Sequence, residues 1–352
     1  MDQPQLPRNP TGWYCVGLSR DLKPGHVQRF VLADRERVMF RTRSGAFGVL
    51  DAYCPHLGAH LGYGGEVRGE CLRCPFHGFE YNVEGDCVST PYGTKLPPKA
   101  KAETISSRDR NGLLLVYHSR GGAPPGWEVP TLDWENWSPL LLKRWRLRGH
   151  PQETTENSVD VGHFTELHGY TSVETLRDVQ LDGPHLSAKY AMSRPAGFLG
   201  RVVRTEFDVQ VYGLGYSLVE VEVPQYGLQM RMFVLSNPTT NDEIELRVAL
   251  SLCNDFASRR IHPALGLIPR RWIAPWIARS AFRGFTHDVQ QDFIIWQHKR
   301  FVQPPVLADG DGPVVKYRRW ARQFYGDNGQ SETNGETAPS PSSTAQREIP
   351  LA

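Results

Sequence analysis

Asp51-Ala-Tyr-Cys54-Pro-His56-Leu-Gly-Ala-His60, followed by Cys71-Leu-Arg-Cys74-Pro-Phe-His77-Gly-Phe79, is the passage on which the reading of this chain turns. Cys54-Pro-His56 and Cys74-Pro-Phe-His77 each lie at a turn between short β runs, so two loop tips can converge on one site. Two thiolates and two imidazoles could hold zinc, but zinc sites pair Cys-x2-4-Cys with His-x3-5-His. Here each motif contributes one of each kind. That mixture suits a two-iron two-sulfur centre, with both cysteines on one iron and both histidines on the other. Two other readings stay open. One is a pair of buried cysteines beside satisfied core histidines; the other is a zinc ribbon begun by Cys71-Leu-Arg-Cys74, which has no second Cys-x2-Cys to complete it.

Working outward, the chain has 352 residues, which at about 150 residues per domain suggests roughly two domains. Hydrophobic residues make up 39% and the net charge is only +2, which supplies a core and argues against bulk electrostatic capture of nucleic acid. Six cysteines are too few for a disulfide scaffold of this length. The polar, proline-bearing opening has no leader pattern, and no apolar stretch is long enough to span a bilayer, so a cytoplasmic setting is expected. Cys15, Cys87 and Cys253 read as small core residues.

Residues 12–119 form a small all-β unit, with strands expected at Val27–Leu32, Val38–Arg41, Phe47–Asp51 and Leu113–Tyr117. A Gly- and Pro-rich linker is expected over 120–133, and a second domain over 134–325. In that second domain Glu156–His168 and Ala281–Arg300 look helical. Phe207–Val211, Val219–Val223, Leu228–Val234 and Ile244–Leu252 alternate with period two, as strands of an antiparallel sheet facing a core or cavity. Residues 326–352 have the composition of a disordered tail.

The second constellation is Asn157-x2-Asp160-x2-His163-x4-His168. Two histidines and a carboxylate make the facial triad of non-haem iron(II) oxygenases, which leaves positions open for dioxygen and substrate. His163 and His168 are five apart, so one face of an ideal helix cannot present both, and the helix must widen or end there. Asp160, three before His163, can accept the imidazole N–H not used for metal. Asp288 and Asp292 offer the missing carboxylate, four apart on one helical face.

With both motifs in place, the chain resembles the Rieske oxygenases. The resemblance implies an α+β chain, an N-terminal all-β Rieske domain followed by a helix-grip (START-like) catalytic domain with an antiparallel sheet. It makes Cys54, His56, Cys74 and His77 the cluster ligands. Asp292, four before Trp296, becomes the third ligand beside His163 and His168, with Asp288 the runner-up. Asp160 becomes the electron bridge to a cluster histidine, His77, of a neighbouring subunit in a homotrimer, and Asn157 joins the catalytic group. Phe79 stands where most of these oxygenases have tryptophan. Electrons are expected from NAD(P)H through a flavin/iron–sulfur reductase or ferredoxin, with dioxygen as co-substrate.

The ending Asp311-Gly-Pro-Val-Val-Lys-Tyr-Arg-Arg-Trp-Ala-Arg-Gln-Phe-Tyr325, with Trp296-Gln-His-Lys299, resembles cholesterol 7-desaturases and the oxygenase component of 3-ketosteroid 9α-hydroxylase. The Cys71 feature resembles the former. The expected activity is hydroxylation or desaturation of a sterol or steroid nucleus. The alternatives are the same chemistry on another polycyclic, terpenoid or aromatic compound, oxidative demethylation included, or a non-enzymatic electron carrier. The proline-broken segment 261–280, with its arginines and tryptophans, reads either as a lid or membrane-resting patch or as an ordinary amphipathic surface.

Overall fold

A computed structural model describes residues 5–93, 95–196, 201–240 and 242–326. Of the expected tail at 326–352, residues 327–352 lie outside the described residues. The first hundred or so residues alternate short apolar runs with glycine turns, and they fold into three small antiparallel sheets. β1 (Gly12–Leu18) joins a sheet completed late in the domain. β2 (Val27–Leu32), β3 (Arg35–Arg41) and β4 (Phe47–Asp51) form a meander, and β5 (Glu66–Arg68), β6 (Cys71–Arg73), β7 (Glu80–Tyr81) and β8 (Cys87–Ser89) form another. β9 (Ser107–Arg110) and β10 (Leu113–His118) close the set in the order β1-β10-β9. The Asn111-Gly112 turn between them has positive φ at both residues, 59° and 72°, which suits the tight right-twisted hairpin. The paired loops of the opening motif hang from this frame. One lies between β4 and β5, the other between β6 and β7.

Residues 120–133 run against the body of the protein. Trp13 donates its indole N–H to the Trp127 carbonyl at 2.9 Å, and Val129 is buried. The Asn111 amide clasps the segment from the other side, donating to the Pro130 carbonyl and accepting from the Leu132 N–H. One hydrophobic cluster holds Trp13, Leu113 and Leu115 together with Val129, Tyr216, Phe233 and Leu235. The two halves therefore share a core. A bulge in β1 between Cys15 and Gly17 turns carbonyls toward the second half. The buried Arg247 guanidinium takes the Cys15 and Val16 carbonyls, and Asn237 also donates to Cys15. Charge-assisted bonds of this kind contribute about 1.5–3 kcal/mol each.

The second half is built on a seven-stranded, wholly antiparallel sheet. Its members are β11 (Leu141–Arg148), β12 (Ser172–Asp182), β13 (His185–Ala196), β14 (Arg201–Tyr212), β15 (Tyr216–Val223), β16 (Leu228–Pro238) and β17 (Glu243–Leu252), in the order β11-β17-β16-β15-β14-β13-β12. The four alternating segments of the sequence fall in β14 to β17. Among the helices, α1 (Pro151–Glu156) and α2 (Gly162–Glu166) precede β12, and α3 (Ser258–Ile261) leads into the long α4 (Arg270–His298). α5 (Val314–Ala321) is the last α-helix among the described residues and runs into a 3-10 turn at Arg322–Tyr325.

α4 is 29 residues, about 43 Å at 1.5 Å per residue. Its inner face buries Ile273, Ala274 and Ala278 against Val221, Met230 and Leu252. Further along, Val289 and Trp296 pack on Leu246 and Val248. This sheet curled on a long helix is the helix-grip architecture. On the remaining strands, Tyr317, Trp320 and Phe324 of the C-terminal segment pack on Val179, Leu186 and Val211. Helix placement differs from the sequence reading at two points. The expected helix over Glu156–His168 is two short helices with an open turn at 157–161. The expected helix from Ala281 starts at Arg270 and continues through Pro275. Pro275 lies early in α4, where its missing N–H costs one intrahelical bond and burial of the next turn holds the helix together.

Candidate active site

The two cysteine-histidine loops have the same internal wiring. Cys54 N–H donates to the Ala59 carbonyl and Gly58 N–H returns to the Cys54 carbonyl; Cys74 N–H donates to Phe79 and Gly78 N–H returns to Cys74. Gly58 and Gly78 have φ of 75° and 70°, a left-handed turn that a side chain would strain. Each loop thus buries its cysteine and leaves its histidine half-buried at the tip. The thiols adjoin one another, and the His56 and His77 rings meet edge to face with centroids 4.7 Å apart. A Rieske-type two-iron cluster, with both thiolates on one iron and both imidazoles on the other, requires this segregation of sulfur from nitrogen, and the donor set fits it. The Tyr81 hydroxyl lies 3.2 Å from Cys54 Sγ. Phe79 stacks flat on His56 at 4.3 Å, so an aromatic ring is retained there without an indole N–H. Cys71 instead lies beside Glu80, Glu70 and Cys87, away from the paired thiols.

The second site assembles where the chain breaks its helix. α1 ends at Glu156, and the turn through Val161 swings His163 and His168 to one point, their rings 5.1 Å apart at 76°. α4 supplies Asp292. One donor atom from each of His163, His168 and Asp292 lies within 4.8 Å of the others, a set that can hold one metal ion.

The tautomers follow from the remaining contacts. His163 Nδ1 is 2.6 Å from the Asp160 carbonyl, and His168 Nδ1 is 2.9 Å from Gln291 Oε1. Both Nδ1 atoms therefore donate, leaving the two Nε2 lone pairs for metal. The sequence assigned the orienting role at His163 to the Asp160 carboxylate. The open turn brings the backbone carbonyl closer, with the carboxylate at 3.7 Å. Burial pushes the Asp160 carboxyl up, but hydrogen bonding and charge from His163 outweigh it, and the group ends below its usual range. Asp292 shows the opposite balance: burial pushes it up to about 6 despite His168, His163 and the hydrogen bond from Asn157 Nδ2 to Oδ1 at 3.0 Å.

Beside this trio opens a cavity of about 380 Å³, within the range of small-molecule sites. Its wall is apolar, with Met192, Val221, Met230 and Phe285 among the lining residues, and Asn157, His163, His168 and Asp292 also border it. One charged pair interrupts the apolar wall: Arg194 Nη1 binds both carboxylate oxygens of Asp288 at 2.9 and 3.1 Å. Asp288 is thus engaged by an arginine, while Asp292 stands with the histidines.

Sequence reasoning missed Gln291, Arg194 and Tyr81. Gln291 was findable, since Asp288, Gln291 and Asp292 share one helical face at i, i+3 and i+4. Arg194 lies in a strand whose alternation carried no such signal.

Residues 12–100 match the family described as the Rieske [2Fe-2S] domain, and residues 116–325 match the 3-Ketosteroid 9alpha-hydroxylase C-terminal domain. The chain is 29% identical over 343 residues to a cholesterol 7-desaturase of Hemicentrotus pulcherrimus, covering 92% of this chain and 71% of the relative. It is 30% identical over 336 residues to a 3-ketosteroid-9-alpha-monooxygenase oxygenase component of Rhodococcus rhodochrous, covering 90% and 81%. Among solved structures, dicamba monooxygenase bound to dicamba is similar with a TM-score of 0.63 at 18% identity, covering 90% of this chain and 97% of that one. NdmA of Pseudomonas putida CBB5 with caffeine is similar with a TM-score of 0.63 at 17% identity, covering 88% and 89%.

Proposed function

The chain belongs to the Rieske non-haem iron oxygenases whose C-terminal domain is that of 3-ketosteroid 9α-hydroxylase, and on that premise we propose that its substrate is a sterol or steroid nucleus. It is an oxidoreductase whose cofactors are a Rieske two-iron two-sulfur cluster and a mononuclear iron, not a carrier that ends with its cluster. When bound, the cluster supplies single electrons and the iron supplies dioxygen activation.

In this reading Cys54, His56, Cys74 and His77 hold the cluster, and His163, His168 and Asp292 hold the iron. Asn157 fixes the Asp292 carboxylate, leaving its second oxygen toward the histidines. We assign residues 12–119 to electron storage, 134–325 to oxygen chemistry, and 120–133 to the joint between them. Asp160 is the electron bridge toward His77 of the partner subunit in a homotrimer. In support, its side chain is 36% exposed, and among the described residues no hydrogen bond joins it to His77 within one chain. Electrons come from an NAD(P)H-dependent flavin/iron–sulfur reductase or a ferredoxin.

The observation that carries the substrate reading is the apolar cavity ending on the metal trio. Such a wall excludes water and rewards a rigid hydrocarbon skeleton. Its Arg194–Asp288 pair offers one polar anchor for an oxygen substituent. Whether hydroxylation or desaturation follows depends on how the substrate's carbon is held. Among the described residues no helix is long and apolar enough to cross a membrane. A cytoplasmic protein with peripheral membrane contact through 261–280 fits a substrate delivered from a bilayer.

The test is reductase- and NADH-dependent consumption of a panel of sterols, 3-ketosteroids and small aromatics by the iron-loaded protein. Oxidation of a sterol or steroid is expected. Turnover of an aromatic alone overturns the substrate class and leaves the oxygenase.

A further inference from the structure

Between Phe256 and His287 the chain holds six arginines and no carboxylate. The structure turns that composition into a surface. Along α4, Trp272, Trp276, Arg279 and Arg283 recur at steps of four, three and four, one solvent face of a helix whose opposite face buries Ile273, Ala274 and Ala278. Trp276 is 76% exposed and Trp272 63%; just ahead of the helix Leu267 is 85% exposed and Ile268 41%. Arg259, Arg260 and Arg271 are exposed around them, and among the described residues only Arg270 of the six pairs with a carboxylate, that of Asp255. Four large apolar side chains in water, ringed by unneutralised guanidinium groups, are not explained by packing within this chain.

We propose that this face docks on an anionic lipid surface, with Leu267, Ile268, Trp272 and Trp276 entering the headgroup layer and the arginines meeting lipid phosphates. The proposal deepens, and rests on, the reading of a bilayer-borne substrate. Tryptophan favours the interface because its ring is apolar and its N–H polar, and each basic residue near an anionic leaflet adds to the attraction. The same helix continues from this patch into the cavity wall through Ser280, Ala281, Gly284 and Phe285. A substrate leaving the bilayer beside Trp276 therefore has only a few helical turns to travel. An acidic electron-transfer protein is the less suited occupant. The cluster it must approach lies in the other domain, where Leu57, Phe76 and Tyr92 form an exposed apolar collar about the histidine loops.

The experiment uses the full cluster-loaded chain and sedimentation with vesicles of phosphatidylcholine alone, or of phosphatidylcholine and phosphatidylglycerol in equal parts. Binding is expected to the anionic vesicles, weakening with salt, with a blue shift in tryptophan emission. R279Q/R283Q should weaken it about fivefold per arginine, and W272S/W276S should weaken it at least about tenfold; neither pair lines the cavity or the metal site. Cluster absorption confirms that each variant is folded. Absence of sedimentation with anionic vesicles, or undiminished binding by W272S/W276S, overturns the assignment. So does W272S/W276S reducing the size of the protein in solution without lipid, which would make the face a contact between copies. Slower reduction by the reductase in R279Q/R283Q with vesicle binding intact would assign the face to the electron donor instead. Vesicle binding needs no turnover, so failure of the sterol assay and failure of this surface are separate results.

Discussion

Replacing Asp292 by asparagine should cost the protein its iron and, with metal absent, make it more stable. Asp292 is buried, and burial raises its carboxyl from 3.8 to about 6. A rise of about two units corresponds to ~3 kcal/mol of preference for the neutral form. Because the folded state holds the proton more tightly, the metal-free protein has this contribution in full below the unfolded pKa. It loses stability as pH rises through about 4 to 6, and is flat above.

The Asp292→Asn change removes the charge and keeps the contacts. The new amide's oxygen still accepts from Asn157 Nδ2, and its N–H faces His168 Nε2, a lone pair because His168 Nδ1 is committed to Gln291. In chelator-treated protein near pH 7.5, D292N should therefore resist urea better by ~2–3 kcal/mol, and by about half as much near pH 5. Adding ferrous iron should reverse the order. At about a thousandfold excess over its dissociation constant, a bound metal adds ~4.1 kcal/mol to wild type and little to the variant, more than the metal-free difference. Urea transitions at two pH values, with and without iron, make the full comparison. A metal-free D292N weaker than wild type near neutrality, or a gain that does not change with pH, would refute the reasoning.

Three other substitutions probe the shells around the two sites. Gln291→Leu removes the acceptor that fixes the His168 tautomer, and iron affinity should fall about 10- to 100-fold, measured by competition with a chromogenic chelator. Tyr81→Phe deletes the hydroxyl beside Cys54 Sγ; losing a bond of about 1 kcal/mol should lower the one-electron potential of the cluster by about 40 mV in voltammetry. Gly312→Ala places a Cβ 2.3 Å from the Val159 carbonyl at a φ of +78°, so iron affinity should drop at least about tenfold while the cluster spectrum stays intact.

What the sequence made legible follows from how local each signal is. The cluster loops depend on residues adjacent in the chain, with cysteine, histidine and a turn glycine in each, and the structure sets the two thiols beside one another and the two imidazole rings beside one another. Period-two alternation of apolar residues marked β14 to β17, although in β17 both faces are buried from Leu246 to Leu252. β12 escaped notice because its faces are not clearly separated, with only Val179 buried in eleven residues. The triad was half legible. His163 and His168 declared a break in their helix by being five apart, but not where it falls. Placing it at 157–161 is what sets the Asp160 carbonyl, ahead of its carboxylate, against the His163 ring. Arg194 and Asp288 are distant in sequence, and only the curl of the sheet around α4 makes them partners.

The C-terminal run from Asp311 to Tyr325 carried the strongest resemblance to steroid-oxidising relatives, yet none of its residues lines the cavity. Its work is elsewhere. Gly312 packs so closely on the 159–161 turn that no side chain fits, and Tyr317 donates to the Gln152 carbonyl at 2.7 Å. Arg318 clasps the buried Glu156 through two bonds of 2.6 and 2.8 Å. Removing one partner of such a buried pair costs about 3–5 kcal/mol, so this segment is under strong constraint as the clamp of the ligand-bearing turn. A motif that clamps the turn leading into His163 does so whatever occupies the cavity. The cavity wall lies largely on β13 to β16, where Met192, Val221 and Met230 are apolar and Arg194 is charged. For that reason the regiochemistry of this enzyme has to be sought by changing the cavity wall and leaving the ending intact.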